Sequence, residues 1–203
     1  MTDTRDAPGP WSKVPALWAA SGMLIIAVIA GLAGGWERSW LATLVRDPAA
    51  QYDYPTYVGL LSHLGVMAMT ATTAIALFAT VTLASGAVGR SLLLAAGTLS
   101  AILLFDDVFM LHEQASRLGE VAIFASYGIA ALFIARGVRN LPGDWDLRGL
   151  KLAVGFMAAS VLTDIFKIYG PFAHWLEDFT KLAGFGAWMA FWASFARAAI
   201  NWR

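Results

Sequence analysis

The sequence predicts an all-α, polytopic membrane protein: a six-helix transmembrane bundle with both termini in the cytoplasm. Three observations carry this expectation. Of 203 residues, 59% are hydrophobic and 14% charged, with a mean hydropathy of +0.63; a soluble domain carries roughly 25% charged residues. Six segments are mainly apolar over about the 20 residues that a spanning helix needs. The charged residues inside those segments gather toward one side of the membrane, and the loops on the other side hold most of the Lys and Arg. Composition also excludes several classes. The formal net charge is zero and no basic block exists, so nucleic acid is not an expected partner. There is no cysteine, hence no disulfide, thiolate ligand or thiol nucleophile. Three histidines are too few for a histidine-rich di-iron site, and no nucleotide-cofactor motif is present.

Residues 1–14 read as a cytoplasmic tail and 15–199 as the transmembrane domain. The first span, about 15–36, is too long for a signal peptide and begins at Pro15, which suits a helix start. Its Ala27, Gly31 and Gly35 form a small-xxx-small row for close helix packing. Residues 37–56 are the longest link. Trp40, Leu41, Leu44 and Val45 share a face between Arg38 and Arg46, which predicts a short interfacial helix rather than a substrate lid. Tyr52, Tyr54 and Tyr57 suit the headgroup level. The second span, about 57–83, ends at the Gly86 and Gly89 turn. The third, about 90–111, carries Asp106 and Asp107, and the fourth is about 118–135. A polar loop leads to the fifth span, about 150–169, which Gly170-Pro171 breaks. The sixth is about 177–199.

Orientation follows from Lys and Arg in the loops. Arg5, Lys13, Arg90, Arg136, Arg139, Arg148, Lys151, Arg197 and Arg203 lie on the side of the termini, against Arg38, Arg46 and Arg117 on the other. Nine against three places both termini in the cytoplasm. At 1.5 Å per residue, Asp106 then sits about 24 Å along its helix from Arg90, in the outer leaflet. Asp164 and Lys167 end an outward-running helix; Glu177, Asp178 and Lys181 begin an inward one; His63, His112 and His174 flank the same surface. Charge at bilayer depth is costly and marks function by default.

On a continuous third helix, Asp106, Asp107, Met110 and Glu113 fall within an arc of about 120°, with His112 pointing elsewhere. Adjacent carboxylates in a low dielectric share a proton or bind a cation. The competing reading is a structural network in which the aspartates cap helices and bond hydroxyls. Asp164 with Lys167, and Glu177 or Asp178 with Lys181, have the spacing of helical ion pairs. Six acids against two lysines favour a bound cation. Asp106, Asp107, His112, Glu113, Glu177 and Asp178 are therefore the expected ligands of a divalent metal ion (zinc, manganese, iron or magnesium). Asp107, Lys167 and Lys181 are the expected catalytic residues, with His63, Asp164 and His174 completing a polar pocket.

The block Asp106-Asp107-x-Phe109-x-Leu111-His112-Glu113 resembles one found in uncharacterised bacterial multi-pass membrane proteins. The resemblance covers about ten residues and implies a bacterial inner membrane, with the polar side facing the periplasm or exterior. No activity follows from it. The residues themselves lead to the expectation of an intramembrane metal-dependent hydrolase acting on a lipid or other amphipathic substrate from the outer leaflet. The alternatives are a proton- or cation-coupled transport protein using the carboxylates as a relay, and a non-catalytic subunit of a larger membrane complex. The bilayer, a lipid-like substrate, and a homo-oligomeric or membrane-complex partner are the expected associations.

Overall fold

A computed structural model describes residues 14–33, 52–55, 57–142, 145–166 and 171–201. These residues are helical with short connections and contain no strand. The chain divides into two compact units at Val58 and Gly59. In the first, α1 (Val14–Ala33) is a 20-residue apolar helix with Pro15 in its first turn. The Tyr52 and Tyr54 rings lie 6.0 Å apart, tilted by 36°, and with Tyr57 are exposed. The interfacial helix expected between Arg38 and Arg46 lies outside the described residues, as does Gly35.

The second unit holds the other helices: α2 (Leu60–Thr82), α3 (Arg90–Phe109), α4 (Leu111–Gln114), α5 (Arg117–Arg139), α6 (Arg148–Ile165) and α7 (Pro171–Asn201). The apolar sequence of α2 accommodates its threonines because Thr70, Thr72, Thr80 and Thr82 each donate a hydroxyl to the carbonyl four residues back, at 2.8 Å. The turn after α2 needs Gly89 twice over. Its φ is +81°, and a Cβ there would lie 2.8 Å from the Phe195 ring. Ser116 caps α5 by accepting from the Gly119 amide, while Arg136 and Arg139 occupy its last turn and complement the helix dipole. In the loop before α6, Asp146 accepts from the Arg148 guanidinium at 2.7–3.0 Å. The Arg148 side chain and backbone amide hold that carboxyl down at about 2. Arg117 closes the other end of α6 by donating to the Ile165 carbonyl at 2.8 Å.

At 1.5 Å per residue, the 31 residues of α7 extend about 46 Å. This helix organises the unit: α6 lies along it, α2 packs against both α7 and α3, and α5 links α3 to α6. Trp188 and Trp192, fully buried, form its centre and meet edge to face at 5.5 Å. Among the described residues, three helices, α2, α3 and α5, are long and apolar enough to cross a membrane. Their outer surfaces carry exposed Phe78, Val81, Leu132 and Phe133, an arrangement that water would penalise and lipid accepts. The chain is a multi-pass membrane protein.

Candidate functional site

The site begins where α3 stops. Met110 adopts a left-handed conformation (φ 50°, ψ 44°), so the chain turns and restarts as the single turn α4. The turn directs His112 back over Asp106. The His112 amide donates to Asp106 Oδ1 at 2.9 Å, and its ring Nδ1 lies 3.0 Å from Oδ2. Both side chains are buried. With Asp106 ionised the carboxylate only accepts, which places the ring hydrogen on Nδ1 and leaves Nε2 as the acceptor nitrogen. Phe124 of α5 packs on the imidazole at 5.1 Å. Tyr127, one turn further along α5, lines the same cavity as Asp106.

The geometry corrects the expected helix face. A helix continued through residue 113 would set Glu113 beside Asp106 and turn His112 away. The break at Met110 exchanges them: His112 is buried on Asp106 and Glu113 is exposed.

Next to this pair, Asp107 Oδ1 forms an ion pair with Lys181 Nζ across to α7. Deeper in the bundle, Trp188 Nε1 donates to Ser100 Oγ at 2.9 Å, and Ser100 donates to the Ala96 carbonyl at 2.7 Å. Between α3, α5, α6 and α7 lies a cavity of about 290 Å³. Asp106, Asp107, His112, Ser160, Asp164, Glu177 and Lys181 line it, and the remaining wall is mainly apolar, including Leu99, Leu103, Val154 and Phe185. The helices bearing the expected acids therefore meet around one space. Gly128 of α5, with Ala158 and Leu162 of α6, belongs both to the lining and to the exposed surface, so the cavity opens sideways between these two helices.

Residues 16–195 match the model of a family described as a domain of unknown function (DUF8692). The chain belongs to this family. No curated protein and no solved structure matches it. The family range includes every residue that lines the cavity, from Leu99 to Trp188.

Of the expected site residues, Asp106, Asp107, His112, Asp164, Glu177 and Lys181 line the cavity. Glu113, Asp178 and His63 are exposed and do not line it. Lys167 and the side chain of His174 lie outside the described residues. Among the described residues, no three His, Asp or Glu side chains are arranged to hold a metal ion. Within the expected ligand set, Asp106 is engaged with His112 and Asp107 with Lys181, and Glu113 and Asp178 are exposed.

Phe124, Tyr127 and Trp188 were not expected in the site. Tyr127 carried a signal, a hydroxyl midway along an apolar helix that needs a partner. Phe124 and Trp188 have the composition of packing residues and gave none.

Proposed function

We propose that this chain is a membrane-embedded hydrolase that works by acid–base catalysis on a lipid-like substrate. The observation that carries the reading is a mainly apolar cavity, open sideways between α5 and α6, with the buried Asp106–His112 pair in its wall. A concave apolar site with a few convergent polar groups is the expected form of a small-molecule site. In this mechanism His112 Nε2 takes a proton from water as the water adds to the scissile linkage, and the imidazolium returns that proton to the leaving group as the linkage breaks. The Asp106 carboxylate holds the ring orientation and stabilises the imidazolium, and the Tyr127 hydroxyl is a further donor beside it. The sideways opening suits a substrate that arrives from the bilayer. Six spans with both termini in the cytoplasm, in a bacterial inner membrane, would set the cavity in the outer leaflet.

The test is turnover of a membrane lipid extract by detergent-purified protein, read by mass spectrometry. His112→Gln and Asp106→Asn should each lower the rate by about 10²–10⁴-fold, the range for general acid–base groups. A chelator should leave the wild-type rate unchanged, because this mechanism uses His112 and Asp106 alone to activate the water. Turnover by His112→Gln at the wild-type rate would reject the mechanism.

A further inference from the structure

The cavity has two unlike ends. Its charged lining gathers where α3 and α6 finish, with Asp106, Asp107, Asp164 and Lys181 beside His112. Down each helix from that level the described lining turns apolar. It passes from Asp106 to Leu99 on α3, from Lys181 to Trp188 on α7, and from Phe124 to Ala131 on α5. Each interval is seven residues, about 10 Å along a helix. The apolar end is closed. Leu99, Ala131 and Trp188 are 5%, 7% and 0% exposed and belong to the core, and the Trp188 indole is held by its bond to Ser100. A floor packed in this way resists even one added methylene. The opening lies nearer the polar end: Gly128 is three residues above Ala131, and Leu162 is two residues from Asp164. A molecule arriving from the bilayer therefore enters beside the polar groups and finds only the apolar end in which to place a chain. The volume, about 290 Å³, is at the small end for ligand sites and suits one chain.

We propose that the cavity takes a single alkyl or acyl chain, tail innermost, with the polar linkage held at Asp106 and His112 and the terminal methyl set against Leu99, Ala131 and Trp188. These three residues then fix the longest chain that the site accepts. This rests on the lipid-like substrate of the preceding reading and specifies how its chain is bound. The opposite orientation is disfavoured. A headgroup at the floor would lose its water among Leu99, Ala131 and Val154, beside an indole N–H already donated to Ser100. A chain at the other end would strip water from the Asp107–Lys181 ion pair.

The test uses full-length protein in nanodiscs of non-hydrolysable diether phospholipid. The probe is a monoalkylglycerol ether with a diazirine at the chain terminus, and labelled residues are located by mass spectrometry. Label should fall on Leu99, Ala131, Val154 and Trp188, whereas a diazirine placed next to the glycerol should label residues around His112. Unlabelled monoalkylglycerols from hexyl to octadecyl should compete up to a cut-off length and about tenfold or more weakly beyond it, as overpacking against a closed floor requires. Leu99→Ala removes three carbons from the floor and should lengthen the cut-off by about two carbons, since the site relaxes in part. Ala131→Leu should shorten it. The two shifts are opposite in sign, so loss of stability alone cannot produce both, and Leu99→Ala carries the test if Ala131→Leu does not fold. Leu132→Ala, on the exposed face of α5, should leave the cut-off in place. Terminal label on lipid-facing residues such as Phe133, terminal label around His112, or a cut-off that Leu99→Ala does not move would each overturn the proposal. Its failure is separable from failure of the hydrolase reading. His112→Gln should keep the labelling pattern and the cut-off while losing turnover. Turnover that depends on His112 without any cut-off would leave the hydrolase reading standing alone, and a cut-off without turnover would leave the chain site standing alone.

Discussion

At the scale of single residues, the bundle is specified by a few buried polar groups whose hydrogen bonds tie one element to another. Ser100 shows this most directly. It is fully buried on α3, donates within its own helix, and accepts the indole N–H of Trp188 from α7. The bond fixes the register of two helices at the floor of the cavity. Ser100→Ala should therefore cost about 1–3 kcal/mol, the penalty for leaving a buried donor unsatisfied. The measurement is thermal unfolding in detergent, followed by tryptophan fluorescence. A variant as stable as the wild type would mean that the indole finds another acceptor. Asp106 shows the same economy with a different result. Its two oxygens hold the His112 amide and ring, so one carboxylate both caps α4 and orients the imidazole.

At the scale of elements, the break between α3 and α4 decides what the site contains. Nothing in Phe109-Met110-Leu111 announces it, since glycine, asparagine and aspartate, the usual left-handed residues, are all absent. The stop is imposed by side chains: Asp106 receives the His112 amide, and Gln114 Nε2 donates back to the Phe109 carbonyl at 2.8 Å. Helical periodicity found the apolar segments because burial in lipid is written in composition. It set Glu113 on the face of Asp106 and turned His112 away from that face, because a single left-handed residue rotates everything that follows. The convergence of Asp106, Asp107, Asp164, Glu177 and Lys181 was legible only as a shared membrane side. Which helices are neighbours depends on close contacts that spacing does not encode. The left-handed conformation costs roughly 1–2 kcal/mol for an ordinary residue. Met110→Gly should remove most of that cost, less the added entropy of the unfolded chain. Unfolding by denaturant should show a variant at least as stable as the wild type. Met110→Val should be clearly less stable, since a β-branched residue tolerates this conformation worst.

At the scale of the whole second unit, two glycines mark opposite kinds of helix contact. A Cβ at Gly184 of α7 would lie 2.6 Å from Met157 Cγ and 3.0 Å from the Met157 backbone nitrogen, so α6 and α7 approach as closely as backbones allow. A Cβ at Gly128 of α5 would meet nothing within 4 Å. Gly128 stands at the cavity mouth, opposite Ala158 and the half-exposed Leu162 of α6. One glycine closes a seam and the other leaves an opening. Substitution should therefore separate folding from access. Gly184→Val must push α6 away and should lower stability markedly. Gly128→Leu adds a side chain where there is space and replaces a poor helix former, by about 1 kcal/mol, with a good one. It should fold at least as well as the wild type while narrowing the path into the cavity. Turnover of bilayer lipid should fall about tenfold or more, with little change for a short-chain soluble analogue that needs less room. Unfolding temperatures and the two rates, measured on the same preparations, test this directly. Equal rates on bilayer lipid for Gly128→Leu and the wild type would place the entrance elsewhere, even if His112 proved indispensable.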